Sequence, residues 1–572
     1  MKVEEQTAEK TFNVLIGGEA GQGLATVGLI LAKSAVRAGY HILVTQSYES
    51  RIRGGHNTFA IRLGANKLVA PQEPVDLLVA LNAETVELHK HELSPRGAIV
   101  ADQAFTTAEK PCLSFPLKDL AGKRFENTAA LGVAAAVLGL DKNVVLKTLE
   151  DAFGAKHPEA LEENRQTLEN AFAWVSRQAE IVEPLPPPAD KSRRMMLNAN
   201  EAIALGALSA GLQFLSFYPM TPATSIALTV IQHAEAFGCI VEQGEDEIAV
   251  INMAIGASYA GGRAMVATSG GGFALMVEGV SLAGMTETPL VIVVGQRPGP
   301  ATGLPTRTEQ ADLELVLHAG HGEFPRAIFA PGTVEECYSL TRRAFEVAET
   351  CQSPVFILTD QFIADSYRAV SPGRMERIAP ADLDQQPADF PLPYRRYELT
   401  ESGISPRLVP GTSEHLVVVD SDEHTEDGHL TEDLGVRGEM VRKRLRKHDA
   451  ISAQVVPPRF DGDADPDLLL VSWGSCQGSV AEAAQMIADD GRRVATLHFS
   501  QVWPLVPKQF MDQLEAAGEV VVVEGNATGQ FARLIRRETG FHVERRVLRY
   551  DGLPITPEYI VRELNRKSGR QE

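Results

Sequence analysis

The sequence predicts an α/β protein built as three α/β domains in series. Short apolar runs with strand character alternate with helix-period stretches along nearly the whole chain. Glycines recur where a strand run gives way to a helix run. Proline-rich stretches without either period interrupt the pattern, the clearest being "AEIVEPLPPPADKSRR" at 179–194 and the recurring prolines of 368–412. At 572 residues the chain is too long for one hydrophobic core. The expected blocks are 1–180, 190–400, a connecting region 401–459 and 460–572.

In the first block "FNVLIGG" reads as a buried strand, "GLATVGLILAKSAVRAG" as a helix ending at Gly39, and "YHILVTQSY" as the next strand. "AALGVAAAVLGL" at 129–140 is too short to span a bilayer and fits a buried helix. In the middle block the strand "RAMVATS" runs into three glycines, the helix "FALMVEGVSLAGMTET" and the strand "PLVIVVG". The last block offers "DLLLVSWG", the helix "SVAEAAQMIADDG", and the strands "RRVATLHFS" and "EVVVVEGN". Such alternation predicts parallel sheets covered on both faces.

Composition narrows the function. With 44% hydrophobic residues, 48 glycines and 23% charged residues the chain reads as a soluble, glycine-rich enzyme. A net charge of −21 argues against nucleic acid or an anionic membrane as partner. The acidic, polar N-terminus does not read as a signal peptide, so none is expected. Five cysteines without a CxxC pair fit a reducing cytoplasm and exclude a self-contained four-cysteine cluster or zinc site, so no metal is expected on this chain.

Two regions carry anion-binding character. "GGEAGQG" at 17–23 lies at a strand-to-helix turn, where Gly18, Gly21, Gln22 and Gly23 bring backbone N–H groups to a helix N-terminus. The spacing GxxGxG is wrong for a nicotinamide fingerprint, and the same glycines would serve an ordinary tight turn. Arg51 and Arg53 ahead of Gly54 and Gly55 suit a polyanionic ligand, or a solvated loop. In "FYPMTPATSI", Pro222 fits a first helical turn and Thr221 its N-cap, which would fix a hydroxyl at a small-anion site or merely cap the helix. Arg297 follows a strand and Arg307 lies in a glycine- and proline-rich loop, as carboxylate chemistry would require. Glu245, Asp246 and Glu247 open an apolar helix, so at least one carboxylate is expected to face a dry interface unless all three only complement the helix dipole.

Together "YPMTPATS", "GEDEIAVINMAIGASYAGGRA", "TSGGGFALMVEG" and "GLPTRTEQADL" resemble the α subunit of 2-oxoacid:ferredoxin oxidoreductases of the 2-oxoglutarate type. "GGEAGQG…SYESRIRGG" is similar to the γ domain of that family, fused here ahead of α, with Ala20 replacing one glycine of the family's GxGGQG. "EGNATGQ" at 524–530 matches the ExNxxGQ turn of its transketolase C-terminal-like domain. The resemblance implies a γ-type domain on the CoA side, a domain binding the pyrimidine of thiamine diphosphate, and a transketolase C-terminal-like domain.

It further implies a thiamine diphosphate shared with a β subunit, which brings the Mg–diphosphate motif and a 4Fe–4S cluster. The nearest diphosphate signature here, "DGDAD" at 461–465, has no asparagine following at a suitable distance, so this chain should be half an active site in an (αβ)2 assembly serving ferredoxin. By the family match Glu247 partners the aminopyrimidine, with Glu245 as the alternative register, and Thr221 and Arg297 hold the substrate. Arg307 would take the second carboxylate of a dicarboxylic substrate, and Thr308 is also expected to bind substrate. Gly18, Gly21, Gln22, Gly23, Arg51, Arg53, Gly54 and Gly55 fall to CoA. The implied reaction converts 2-oxoglutarate, CoA and oxidised ferredoxin to succinyl-CoA, CO2 and reduced ferredoxin. Pyruvate or a branched 2-oxoacid is the alternative substrate; a nicotinamide-dependent dehydrogenase and a non-catalytic partner subunit are the alternative classes.

Overall fold

The structure, a computed structural model, describes residues 11–50, 54–121, 125–153, 160–188, 190–375, 390 and 393–566. It divides into two compact units, Met1–Asn198 with Asp365–Arg374 and Thr556–Glu558, and Ala199–Ala364 with Met375–Ile555 and Tyr559–Glu572.

The first unit holds an eight-stranded sheet among the described residues, in the order Cys112–Phe115, Leu93–Asp102, Val75–Ala80, Phe12–Glu19, His56–Gly64, His41–Ser47, Arg368–Val370, Met195–Leu197. The expected strands and the buried helix Glu126–Val137 are present. The expected parallel sheet is not. Phe12–Glu19 runs parallel to Val75–Ala80 but antiparallel to His56–Gly64, which is itself antiparallel to His41–Ser47. The short link between His41–Ser47 and His56–Gly64 has no room for the crossover helix that a parallel pair requires.

Among the described residues the second unit contains two sheets. Its seven-stranded sheet runs Gln501–Trp503, Ala327–Phe329, Pro354–Asp360, Leu290–Gln296, Ala264–Ser269, Phe214–Phe217, Ile240–Gln243. All neighbours are parallel except the edge strand Gln501–Trp503. Leu290–Gln296 is buried along its whole length, as an all-apolar central strand must be. From Phe214–Phe217 the chain steps outward to Ile240–Gln243, then crosses back to Ala264–Ser269 on the other side. That reversal opens a crevice beyond the carboxyl ends of Phe214–Phe217 and Ala264–Ser269, the position where such sheets bind ligands. The five-stranded sheet, Arg459–Gly462, Val494–Phe499, Leu468–Trp473, Val520–Glu524, Arg545–Leu548, shares one hydrophobic core with the first: Phe356 and Leu358 belong to the same buried cluster as Val471, Phe499 and Phe531.

A charge cluster ties the connecting region to this core. Asp433 caps the basic helix Leu434–Ser452 by accepting from Gly435 N and Val436 N at 2.8 and 2.9 Å. Glu423, in the acidic stretch before it, accepts from Arg444 Nη1 and Nη2. The same helix sends Lys443 and Lys447 inward to Glu287, whose carboxylate is fully buried just beyond the helix Gly270–Met285. Arg396 donates to the Glu287 carbonyl at 2.8 Å. Burial pushes the Glu287 carboxyl up, but Lys447, Lys443 and Arg396 outweigh it and hold the group at about 2. With cations in excess, burial wins at Lys443, whose ammonium falls to about 8. Among the described residues no helix is long and apolar enough to cross a membrane.

Replacing Glu287 by Gln strands two buried ammonium groups and should cost about 3–5 kcal/mol in denaturant unfolding. Because the folded carboxyl titrates at about 2 against an ordinary 4.5, wild-type stability is complete above pH 4.5 and lost as pH falls from there toward 2. The advantage of wild type over Glu287→Gln should therefore shrink across that window.

Candidate active site

Three segments meet at the crevice. The first is the proline turn that follows Phe214–Phe217. Thr221 is not the helix cap expected from the sequence, nor is Pro222 in the first helical turn. The carbonyl of Met220 accepts from both Ala223 N and Thr224 N, so a turn closes first and the helix begins at Thr224 with Ala223 at the cap position. The Thr221–Pro222 peptide is cis. Pro222 packs against Gly295 on the central strand, and its carbonyl accepts from Asn200 Nδ2 at 2.7 Å. The turn thus presents the Thr221 carbonyl to Arg297, whose Nη1 donates to it at 2.8 Å. The sequence-predicted pair of Thr221 and Arg297 is brought together, through the backbone.

The second segment is the amino end of the helix Gly270–Met285. Ser269 stands at its cap position without making the usual side-chain cap bond, and Ser269 Oγ and Thr268 Oγ1 are buried without any hydrogen-bond partner. Beside them lies Glu247. Of the three candidate carboxylates, Glu245 and Asp246 are exposed, and Asp246 is spent capping its helix by accepting from Ala249 N at 2.7 Å. Glu247 is 4% exposed. A β-carbon at Gly272 would collide with Glu247 Oε1 and Thr268 Oγ1, so the glycine makes room for the carboxyl. A β-carbon at Gly271 would meet Ala301 O at 3.5 Å and Met220 Cε at 4.0 Å, which brings the proline turn and the post-Arg297 loop to the same helix end.

The third segment is the loop Arg307–Asp312. Burial pushes the Asp312 carboxyl up to about 6 against the pull of Arg297, and it pushes Glu309 up to about 7 with help from the Asp312 charge. Arg297 is buried, with its Nε unpartnered, and its guanidinium is lowered by burial and raised by Asp312. Arg307 is half-buried and packs on Gly552. Thr308, expected to bind substrate, spends its hydroxyl internally: it donates to Asp360 Oδ1 at 3.1 Å and accepts from Phe362 N at 3.2 Å.

The last sheet clamps this loop. Gln310 N donates to Gly525 O at 2.5 Å, Gln310 Nε2 to Trp473 O at 3.1 Å, and Gln310 Oε1 accepts from Gly525 N at 2.9 Å. Asn526 Nδ2 donates to Gln310 O at 3.2 Å and Gln530 Nε2 to Ala311 O at 2.7 Å. "EGNATGQ" therefore works as a brace for "TRTEQAD". Sequence reasoning took Arg307 and Thr308 from that stretch and passed over Glu309, Gln310 and Asp312, as it passed over Thr268, Ser269 and Asn200. Two carboxylates and an amide within five residues after Arg307 were the available signal.

In the first unit the glycine loop has the expected form. Gly21 and Gly23 take φ of 100° and 75°, values that favour glycine, and Gly23 starts the helix Leu24–Arg37. Gln22 Oε1 accepts from Glu19 N at 2.7 Å, and a side chain at Gly18 would strike it. Gly54 and Gly55 also have positive φ, 74° and 78°. Arg51 and Arg53 lie outside the described residues.

Comparison with known proteins gives this geometry its context. The family described as pyruvate flavodoxin/ferredoxin oxidoreductase, thiamine diphosphate-binding, matches residues 205–443, and the family described as pyruvate ferredoxin/flavodoxin oxidoreductase matches 13–174. The 2-oxoacid:ferredoxin oxidoreductase 2 subunit alpha of Aeropyrum pernix is 32% identical over 95% of this chain and 96% of its own length. The chain belongs to the 2-oxoacid:ferredoxin oxidoreductase α subunits. The 2-oxoglutarate synthase subunit KorA of Archaeoglobus fulgidus, 32% identical, spans 64% of this chain and 97% of its own. A chain of the 2-oxoglutarate:ferredoxin oxidoreductase from Magnetococcus marinus, solved with 2-oxoglutarate, coenzyme A and succinyl-CoA bound, superposes with a TM-score of 0.90 at 32% identity over 97% of this chain and 99% of that one. The chain is thus a subunit of a ferredoxin-dependent oxidoreductase and carries its thiamine diphosphate-binding domain.

If the brace positions the 2-oxoacid site, Gln310→Ala should act beyond stability. It leaves the Trp473 carbonyl and Gly525 N–H unpaired, about 1–3 kcal/mol in denaturant unfolding. We expect kcat/KM of the assembled oxidoreductase to fall at least about tenfold as the loop loosens. A stability loss with unchanged kcat/KM would make Gln310 a fold residue only.

Proposed function

We propose that this α subunit forms half of a thiamine diphosphate site for the oxidative decarboxylation of 2-oxoglutarate, with CoA as acyl acceptor and ferredoxin as electron acceptor. The observation that carries the reading is the burial of Glu247 against the side-chain-free start of the helix Gly270–Met285, among hydroxyls that have no partner among the described residues. A buried carboxyl with open polar neighbours fits the pyrimidine side of the cofactor. Bound there, thiamine diphosphate supplies the carbon nucleophile and the electron sink for decarboxylation.

This chain's residues then have defined work. Glu247 would hydrogen-bond the aminopyrimidine ring and favour its imino tautomer. Arg297, fixed by the Thr221 carbonyl, orients the substrate carboxylate, and the Thr221 hydroxyl adds a donor to it. Arg307 faces the distal carboxylate that separates 2-oxoglutarate from pyruvate, a preference supported by the names of the KorA relatives and the Magnetococcus marinus enzyme. The glycine loop of the first unit, with Gly18, Gly21, Gln22, Gly23, Arg51, Arg53, Gly54 and Gly55, serves CoA.

A β subunit supplies the rest, including Mg and the 4Fe–4S cluster, in an (αβ)2 assembly. Its docking surface is the apolar side left open around the site: Leu228, Ile231, Ile248 and Leu275 are each about half exposed. The helix Glu247–Tyr259 buries Val250, Ile251 and Ala254 on one face yet leaves Ile248 and Tyr259 out on the other, more apolar surface than a free helix would keep.

The chain purified alone should be colourless and inert, and co-expression with a β partner should give CoA-dependent viologen reduction with 2-oxoglutarate in preference to pyruvate. Glu247→Gln in that complex should lower turnover by about 100-fold or more with little change in melting temperature. Activity of the lone chain, or near-normal turnover of Glu247→Gln beside a dead Glu245→Gln, would overturn the assignment.

A further inference from the structure

A histidine pair in the first unit has no part in the reading above. His56 opens the strand His56–Gly64 and pairs across the sheet with Glu19, a residue of the glycine loop. Its Nε2 lies 2.8 Å from His89 Nε2, and His89 Nδ1 lies 2.9 Å from Glu92 Oε2. The donors along this chain follow from its acidic end. A carboxylate only accepts, so His89 Nδ1 donates to Glu92. A neutral His89 then accepts at Nε2, and His56 donates there through its own Nε2–H. The proton of neutral His56 is thereby held at Nε2, and Nδ1 is left as a bare lone pair.

That nitrogen is buried and has no hydrogen-bond partner. The ring follows Gly54 and Gly55 and stands beside Gly17, where a β-carbon would lie 3.3 Å from Cε1, the carbon between the two nitrogens. None of these glycines has a side chain to reach the lone pair. A second nitrogen is idle at the same place. Thr85, which a β-carbon at Gly17 would strike, donates to Asn82 Oδ1 at 2.8 Å, and Asn82 Nδ2 is buried without a partner. A basic lone pair and an amide donor suit a ligand that has a proton to give and a carbonyl to be held. The charged groups around His56 favour a base over an anion site. Burial and then His89 lower its ring from the ordinary value, while Glu84, Glu49 and Glu92 raise it. Those carboxylates would repel a phosphate, but they stabilise an imidazolium.

We propose, on the reading that the glycine loop serves CoA, that His56 is the catalytic base that takes the proton of the CoA thiol. The N–H bond forms at Nδ1 as the S–H bond breaks, and the sulfur keeps the electron pair as a thiolate. The imidazolium is held by its Nε2–H bond to His89, itself oriented by Glu92, so His89 and Glu92 are positioning residues. His56 then passes the proton to solvent. It is the proton released overall when 2-oxoglutarate and CoA give succinyl-CoA and CO2 and the electron pair leaves with ferredoxin.

The assembled complex, with CoA and its thiol-free analogue desulfo-CoA, tests this. In His56→Gln, turnover with CoA should fall by about 100-fold, as for a lost general base, while inhibition by desulfo-CoA is unchanged. Retained turnover, or desulfo-CoA affinity that falls in parallel, overturns the proposal. In His89→Leu the imidazolium loses its acceptor, so the acid limb of the kcat profile should move to lower pH. An unmoved limb overturns it as well. Alkylation of complex-bound CoA by iodoacetamide, followed by the mass of the CoA adduct, should be faster with wild type than with His56→Gln, and equal rates contradict the base. A complex that binds CoA but turns over no 2-oxoacid would fail the functional reading, and the alkylation rates still decide His56.

Discussion

Two carboxyls are buried against one helix end that has no side chains to exclude them. At Gly270 and Gly272 the absence of a β-carbon lets Asp312 and Glu247 lie on the start of the helix Gly270–Met285, each in space that alanine would fill. Burying a carboxylate is expensive unless charge or hydrogen bonds compensate, and here the compensation is partial. A helix amino end faces both acids and Arg297 attracts Asp312, while Thr268, Ser269 and Asp312 each keep a buried atom unpaired among the described residues. That deficit is what a ligand would satisfy.

The surrounding architecture serves to hold this end in place. The sheet reversal sets the crevice, and the proline turn braced on Gly295 and Asn200 delivers a carbonyl to Arg297. From the other side the five-stranded sheet grips Gln310 through Gly525, Asn526 and Trp473. The far end of the same helix is fixed by Glu287 and its ring of lysines and Arg396. A helix pinned at both ends can carry unpaired polar groups at one of them without fraying.

Much of this was legible in the sequence, for reasons that can be named. All-apolar runs such as "PLVIVVG" dictate central strands, and the glycine triplet after "VATS" marked the helix start. Glu247 could be singled out by motif and is the buried member of its trio. Thr221 was misjudged as a cap because local propensity favours threonine before proline, whereas the turn closed by Met220 O depends on packing from Asn200 and Gly295. Sheet direction in the first unit depended on a link too short for a crossover. Gln310 was passed over because its partners lie far along the chain, and Thr308 was assigned to substrate because its partner Asp360 does too. Side-chain pairing over such separations leaves no periodic trace.

The central claim, that this glycine-lined helix end is where the 2-oxoacid reacts, is tested most directly by kcat/KM of Gly272→Ala in the assembled complex. Alanine is the better helix former by about 1 kcal/mol, so a glycine that served the fold alone would leave kcat/KM of the folded complex unchanged whatever its packing cost. The account predicts a folded, assembled enzyme whose kcat/KM falls by about 100-fold, because the new methyl displaces the Glu247 carboxyl. Wild-type kcat/KM in a well-folded Gly272→Ala complex would contradict it.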